Sequence, residues 1–156
     1  MNKKIILAIL ILIVLLWCGI IFFFSSQNGV QSTGMSDYFI TRLAELFCPD
    51  ADPDILIRKY SFIVRKCAHF AVYAVLGGIL LIAVNLIKHK LSLGKKYVIA
   101  VSATVFFAFT DEFHQYFTEG RSAQLSDVFI DSCGAFTGAA VVLLILYYIK
   151  KQSQKK

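Results

Sequence analysis

Four long apolar segments constrain the fold of this chain more than any other feature. They cover residues 5–24, 61–87, 97–115 and 127–149. An α-helix needs about 20 residues to cross a hydrocarbon core of about 30 Å, and each segment reaches or approaches that length. The longest stretch outside them, residues 25–60, leaves little room for a separate soluble domain. We therefore predict an all-α membrane protein with four transmembrane helices, in a single domain over residues 1–156.

The first apolar segment begins like a secretory signal peptide, because Lys3 and Lys4 precede it. Its apolar region is longer than the roughly 7–15 residues of a signal peptide, and no small-x-small cleavage site follows at residues 25–28. We therefore expect this segment to be retained as a membrane anchor.

Lysines gather on one predicted side of the membrane. Ten of them lie within residues 3–4, 88–96 and 150–156, whereas all ten acidic residues fall in the remaining segments with the other six basic residues. Short cytoplasmic loops are enriched in lysine and arginine, so this pattern predicts cytoplasmic N and C termini. Residues 25–60 and 116–126 would then be extracytoplasmic in a multi-pass protein of the cell membrane. The excess of lysine in the predicted cytoplasmic segments accounts for the net charge of +6, which therefore does not indicate nucleic-acid binding.

An amphipathic helix is predicted between the first two spans, over residues 36–47. Apolar side chains recur there at helical spacing, and Ser36 is the predicted N-cap after a glycine-containing turn at residues 28–34. A helix this short does not span a bilayer, so it should lie on the outer leaflet or re-enter it. Asp52 is predicted to cap the next helix, with Pro53 in its first position, and that helix should continue into the second span.

Three polar clusters interrupt the second, third and fourth spans. They are formed by Arg65, Lys66 and His69, by residues 111–115, and by Asp127 and Asp131. The predicted topology brings all three to the extracytoplasmic side. Ionisable groups are costly inside a membrane and usually mark a functional site there. We therefore predict one polar pocket that opens towards the outer leaflet.

Helical spacing assigns candidate roles within this pocket. Lys66, His69 and Tyr73 share one face of the second span, and the Gly134-x-x-x-Gly138 pattern predicts close helix packing on the face that carries the two aspartates. The candidate acid and base groups are His69, Asp111, Glu112 and His114. The candidate substrate-binding residues are Ser26, Gln27, Arg65, Lys66, Tyr73, Gln115, Arg121, Asp127 and Asp131.

Each of these residues also has a purely structural interpretation. Arg65 and Lys66 could extend to lipid headgroups, and Asp127 could stabilise a helix N-terminus. A histidine and carboxylate set at His69, Asp111, Glu112 and His114 would suit a divalent ion, but no H-E-x-x-H motif is present and no metal ligand is predicted.

The sequence does not identify a cofactor. The four cysteines show no C-x-x-C spacing and are interpreted as small apolar residues, with a Cys67–Cys133 bridge as a minor alternative.

The polar clusters resemble those of the VanZ-like family of small bacterial membrane proteins. The matching segments are Ser25-Ser26-Gln27, residues 65–73, residues 111–121, and residues 126–128 continuing to Gly134. They occur in the family's order and span nearly the whole chain. Glu119 stands where family members commonly have proline.

This resemblance implies a four-span protein of the cell membrane. It also implies a link to low-level resistance to the glycopeptide teicoplanin, achieved without replacement of the peptidoglycan terminus. It assigns no catalytic or ligand-binding role to any residue, so the roles given above come from the chemistry of the side chains.

The sequence is compatible with three functions. In the leading hypothesis the pocket binds or acts on an amphiphilic envelope molecule, which would be a membrane lipid or a lipid-linked phosphate. The second is a membrane-embedded hydrolase or transferase of a lipid, with His114 and Glu112 as acid and base and with Lys66 and Arg121 on phosphate. The third is a non-catalytic binding or assembly module that holds a lipoglycopeptide or a partner. The sequence predicts no oligomeric state.

Overall fold

The computed structural model describes residues 3–88, 90–121 and 124–154. Its helices are α1 (Lys3–Ser25), α2 (Gly29–Phe47), α3 (Pro53–Ile87), α4 (Leu93–Gln115) and α5 (Leu125–Ser153). Within these ranges the regular structure is entirely helical. Four helices, α1, α3, α4 and α5, are long and apolar enough to cross a membrane. The predicted all-helical architecture, with four long apolar helices, is thereby confirmed.

Helices α3 and α5 pack with their backbones in contact. A Cβ atom added to Gly138 would overlap the carbonyl oxygen of Ala74, and one added to Gly134 would overlap that of Phe70. On the other helix, a Cβ on Gly77 would lie 2.5 Å from the Ala135 carbonyl oxygen. Small residues allow this approach between membrane helices. The close contact predicted from the Gly134 and Gly138 spacing is therefore present.

Helix α1 is joined to α3 through a narrow face. The indole Nε1 of Trp17 donates a 2.9 Å hydrogen bond to the carbonyl oxygen of Val72, and Ile21 is buried one turn further on. Other α1 side chains, such as Leu15 and Leu16, are exposed and apolar. Their exposure fits a surface covered by lipid rather than by water.

The sequence prediction for the start of α2 is wrong. The helix begins at Gly29 and not at residue 36, because Asn28 forms a capping box with Gln31. The Asn28 side chain accepts a 2.9 Å hydrogen bond from the Gln31 amide, and the Gln31 side chain accepts one from the Asn28 amide. These reciprocal bonds satisfy two free amides and fix the helix start. Ser36 lies inside the helix, where its hydroxyl donates to the Ser32 carbonyl oxygen.

Helix α2 is attached to the rest of the fold at its middle and at its N-terminus. Near its middle, the Ser61 hydroxyl of α3 donates a 2.9 Å hydrogen bond to the Asp37 carboxylate. At its N-terminus, the Gly29 amide donates to the Glu119 carbonyl oxygen over 3.2 Å. A Cβ on Gly29 would overlap the carbonyl oxygen of Gly120. Gly120 itself has a φ of 71°, a backbone conformation that favours glycine. Glycine is needed at both positions, and the loop between α4 and α5 is held against α2.

Helix α3 begins as predicted. The Asp52 carboxylate accepts a 2.9 Å hydrogen bond from the Asp54 amide, and Pro53 occupies the first turn. From there α3 continues without interruption for 35 residues. The polar residues 65–69 therefore lie in the middle of a continuous helix.

Candidate functional site

The three polar clusters of the sequence converge where α3, α4 and α5 meet. Each helix places ionisable or polar side chains in the protein interior. The buried members are Lys66, Tyr73, Asp111, Glu112, Gln115, Asp127 and Asp131. Asp131 is completely buried, with 0% of its surface exposed. So many ionisable groups are rare in the interior of a helical membrane protein and point to function.

Lys66 and Asp127 form a buried ion pair between α3 and α5. Their side chains are only 10% and 12% exposed. The Ser126 hydroxyl donates a second hydrogen bond, of 3.3 Å, to the same Asp127 oxygen. The aspartate also lies in the first turn of α5, where the helix dipole favours a negative charge. Among the carboxylates of the cluster, Lys66 is therefore paired with Asp127.

His69 and Asp131 face each other about one turn further along the same two helices. The His69 Nδ1 and Asp131 Oδ1 atoms are 3.3 Å apart. Neither atom has the alignment of a hydrogen bond, and the second Asp131 oxygen also lacks a partner among the described residues. The backbone contact between Gly134 and Phe70 lies directly beside this pair. Close packing of α3 and α5 thus sets the spacing of the His69 and Asp131 side chains.

Helix α4 contributes Asp111, Glu112 and Gln115 from its last two turns. One Glu112 oxygen accepts a 3.0 Å hydrogen bond from the Gln124 amide. The Gln115 amide nitrogen donates to Asp111 over 3.3 Å. These bonds orient the three side chains but leave one oxygen each on Asp111 and Glu112 without a hydrogen bond among the described residues.

Arg121 closes this arrangement from the loop after α4. Its guanidinium donates a 3.0 Å hydrogen bond to the Gln115 side-chain oxygen and a 3.2 Å bond to the Phe24 carbonyl oxygen of α1. Burial lowers the pKa of Arg121, and the neighbouring charge of Arg65 lowers it further, whereas nearby carboxylates act in the opposite direction. Arg121 therefore connects three parts of the fold and retains an unfavourable interaction with a second cation.

Buried polar atoms without hydrogen bonds are concentrated at this place. Most buried polar groups in proteins have a partner, so each exception needs an explanation. Among the described residues the exceptions are Ser25 Oγ, His69 Nδ1, Tyr73 Oη, Asp111 Oδ1, Glu112 Oε1, His114 Nδ1 and both Asp131 oxygens. All but His114 Nδ1 belong to residues of the buried cluster or of the cavity beside it, which makes this region the candidate binding site.

A cavity of about 570 Å³ adjoins the cluster between α1, α2 and α3. Apolar side chains such as Ile21, Met35 and Ile63 form most of its wall. The polar part of the wall consists of Ser25, Ser32, Ser36, Arg65, His69, Tyr73, Asp111, Gln115 and Arg121. The cavity thus combines a long apolar surface with two guanidinium groups and a few further polar groups.

Not all of the sequence-predicted site residues reach this cavity. The His114 ring lies against Phe22 of α1, with centroids 4.3 Å apart. Ser26 is exposed and donates to the Phe23 carbonyl oxygen. Gln27 lines a separate cavity of about 470 Å³, beside Tyr38 of α2. These three candidates are therefore placed apart from the site. Four others belong to the buried cluster beside the cavity but do not line it: Lys66, Glu112, Asp127 and Asp131.

Ser25 is a cavity residue that the sequence analysis does not predict, as are Ser32 and Ser36 of α2. It is 3% exposed, lines the cavity and has a hydroxyl without a partner among the described residues. The available signal was the spacing of Trp17, Ile21 and Ser25, which are four residues apart and so share one face of α1.

The structure also shows a grouping of possible metal donors and the state of the cysteines. One ligand atom each from His69, Glu112 and Asp131 can be chosen so that all lie within 4.8 Å of one another, a grouping suited to a metal ion. All four cysteines are free, so the Cys67–Cys133 bridge considered above is absent.

Comparison with known proteins gives one match. The model of the VanZ/LLP1 family matches residues 10–147. No curated protein and no solved structure matches the chain. The matched range includes every side chain of the buried cluster and of its cavity. Because the match covers nearly the whole sequence, this chain belongs to the VanZ/LLP1 family.

Proposed function

We propose that this protein binds an amphiphilic molecule of the cell envelope, a lipid or a lipid-linked phosphate, in the cavity between α1, α2 and α3. The apolar wall would hold an acyl or prenyl chain. The volume of about 570 Å³ lies within the range of about 300–1,000 Å³ that is usual for small-molecule sites.

The unpaired guanidinium of Arg65 is the observation that carries the proposal. Arg65 is partly buried and lines the cavity, yet it has no hydrogen bond or ion pair among the described residues. Arg121 lies close enough for the two positive charges to interact unfavourably. A phosphate between them would remove this repulsion, and arginine binds phosphate oxygens through paired N–H donors.

Hydrogen-bond acceptors at the same end of the cavity suit the rest of a headgroup. Asp111 presents an oxygen without a partner among the described residues, and His69 lies on the same wall. Both could receive hydrogen bonds from hydroxyl groups next to a phosphate. The same two residues could act as base and acid if the bound molecule were hydrolysed or transferred, which is the main alternative function.

The proposed side of the membrane is extracytoplasmic. Arg65 lies in the N-terminal half of α3 and Arg121 follows the C-terminal end of α4, so both are remote from the lysine-rich segment 88–96 that connects the other ends of these helices. The bias of lysine towards the cytoplasm supports cytoplasmic termini. Helix α2, with Tyr38, Leu46 and Phe47 exposed, would then rest in the outer interface.

Labelling of Cys48 tests this orientation. Cys48 is exposed at the end of α2, so a membrane-impermeant maleimide should label it in intact cells. Because Cys67 is exposed as well, all variants would carry Cys67→Ser, and in that protein Cys48→Ser should reduce labelling to background. A Gln152→Cys substitution in that variant should be labelled only after lysis. The reverse pattern would show that the pocket faces the cytoplasm.

Binding of phosphate-bearing amphiphiles tests the function. Purified protein would be titrated with a short-chain phosphatidic acid and with a polyprenyl phosphate, and the Kd measured for each. Arg65→Gln should weaken binding roughly 10- to 100-fold, because a hydrogen bond to a charged group contributes about 1.5–3 kcal/mol. Arg121→Gln should also weaken binding.

Arg58→Gln is the matched control, because Arg58 is an exposed residue of the same helix outside the cavity. It should leave the Kd unchanged. A polyprenyl alcohol should bind much more weakly than the phosphate. Equal affinity of the alcohol and the phosphate, or of the wild-type protein and Arg65→Gln, would exclude the proposed phosphate site.

The same samples separate binding from turnover. Lipid extracted after incubation and analysed by mass spectrometry should be recovered intact if the protein only binds it. A new lipid species that forms with wild-type protein but not with His69→Gln would instead support the hydrolase or transferase. Saturable binding of teicoplanin alone, with neither phosphate probe bound, would favour a module that holds the lipoglycopeptide.

A further inference from the structure

The geometry points to a divalent transition-metal site formed by His69, Glu112 and Asp131. The three residues come from α3, α4 and α5, so the site lies where all three helices meet. The site shares only His69 with the proposed lipid site, and it rests on the Glu112 and Asp131 carboxylates and not on the arginines of the cavity.

The first argument is the distance between the donor atoms. One ligand atom from each residue can be chosen so that all three lie within 4.8 Å of one another. Ligands bound to Zn²⁺ at about 2.0–2.2 Å lie roughly 3–3.5 Å apart. His69 Nδ1 and Asp131 Oδ1 are already 3.3 Å apart. The third donor, from Glu112, lies within 4.8 Å of a donor atom on each of the other two residues, so the set would contract around a bound ion.

The second argument is the hydrogen bonding of the same atoms. Asp131 is completely buried, and neither of its oxygens has a hydrogen bond among the described residues. Glu112 is 4% exposed, and one of its oxygens is likewise without a partner. Its other oxygen accepts the bond from the Gln124 amide. That arrangement is typical of a metal-binding carboxylate, which is oriented by one oxygen and coordinates through the other.

The third argument is charge. Lys66 is paired with Asp127, and Arg121 donates to Gln115 and to a backbone oxygen. Neither cation contacts Glu112 or Asp131. Buried carboxylates are normally paired with a cation or coordinate a metal. Two ionised carboxylates carry two negative charges; a protonated His69 would balance one of them, beside Asp131, whereas a divalent ion would balance both.

The donor set narrows the class of ion. One imidazole nitrogen and two carboxylate oxygens suit Zn²⁺ or Mn²⁺ better than Mg²⁺ or Ca²⁺, which prefer oxygen ligands alone. Three protein ligands also leave a coordination position open, as catalytic zinc sites do. His69 lines the cavity as well, so the open position would be close to a molecule bound there.

Metal content and affinity test the inference. The full-length protein, purified without chelator, would be analysed by elemental mass spectrometry. It would then be stripped of metal and dialysed against Zn²⁺ or Mn²⁺. We expect one ion per chain and a raised melting temperature with the ion that binds. Asp131→Asn and His69→Gln should lower the affinity at least tenfold and abolish the stabilisation.

Asp111→Asn is the matched control, because Asp111 is buried in the same cluster but does not belong to the trio of donors. Removal of its charge should leave the stoichiometry at one ion per chain. Folding of each variant would be verified by size-exclusion chromatography and circular dichroism. Equal loss of metal in Asp111→Asn and Asp131→Asn would overturn the specific site and leave only a diffuse acidic cluster. The absence of stoichiometric metal in the wild-type protein under both dialysis conditions would overturn it as well.

Discussion

Gly138→Val is expected to prevent the native packing of α3 against α5. A Cβ at this position would overlap the carbonyl oxygen of Ala74, and the overlapping atoms include backbone Cα and carbonyl carbon as well. Backbone atoms cannot rotate away as a flexible side chain can, so the helices must separate. Overpacking of a core costs about 1–3 kcal/mol and occasionally more. We expect the free energy of unfolding to fall by about 3 kcal/mol or more. The variant should therefore have a lower melting temperature and be less monodisperse after detergent extraction.

Gly19→Val is the matched control for this substitution. Gly19 also lies within a long apolar helix, but no atom beyond the neighbouring backbone of its own helix lies within 4 Å of a Cβ added to it. The two variants make the same chemical change in the same type of secondary structure. Gly19→Val should therefore melt close to the wild-type protein. Equal melting temperatures for the two variants would show that α3 and α5 do not depend on the glycine contact.

The same helix contact has a consequence for the site. Gly134 touches Phe70, which directly follows His69, and Asp131 lies one turn before Gly134. Separation of the two helices would therefore move the histidine away from its carboxylate. The contact of Gly134 and Gly138 with α3 thus stabilises the fold and also sets the distance between His69 and Asp131.

The helices and the shared depth of the polar clusters could be predicted from the sequence because both depend on local information. A hydrophobic run of sufficient length is a span whatever its neighbours are, and alternation of spans fixes which ends lie together. The Gly134 and Gly138 contact was likewise readable from spacing. Residues 28–34 were misinterpreted because their glycines suggested a turn, although the Asn28 and Gln31 pair is the signature of a capping box.

The pairing of charges could not be predicted in the same way. Lys66 had several carboxylates within reach at the same depth, and its pairing with Asp127 depends on the rotation and axial offset of α3 against α5. The same variables turn His114 towards Phe22 of α1 and not towards the cavity. A sequence specifies which face of a helix is polar, but it does not specify which neighbouring helix that face meets.

Breaking the Lys66–Asp127 pair is expected to produce the second large loss of stability. Both side chains are buried and contact each other directly. Lys66→Met leaves a buried carboxylate without its cation, and Asp127→Leu leaves a buried ammonium group without its anion. Removing one partner of a buried ion pair typically costs about 3–5 kcal/mol. The free energy of unfolding in mixed micelles should fall by that order in each single variant.

The double variant Lys66→Met/Asp127→Leu separates the cost of an unpaired charge from the value of the pair. Replacement of a buried ion pair by apolar side chains is often neutral or stabilising, so the double variant should be more stable than either single one. Recovery should be incomplete, because Asp127 also interacts with the N-terminus of α5, which contributes about 0.3–1 kcal/mol. The exposed Arg42–Glu45 pair is the control, and its substitution by alanines should leave unfolding unchanged. Additive losses in the Lys66 and Asp127 double variant would mean that the two residues act separately and that their contact contributes nothing of its own.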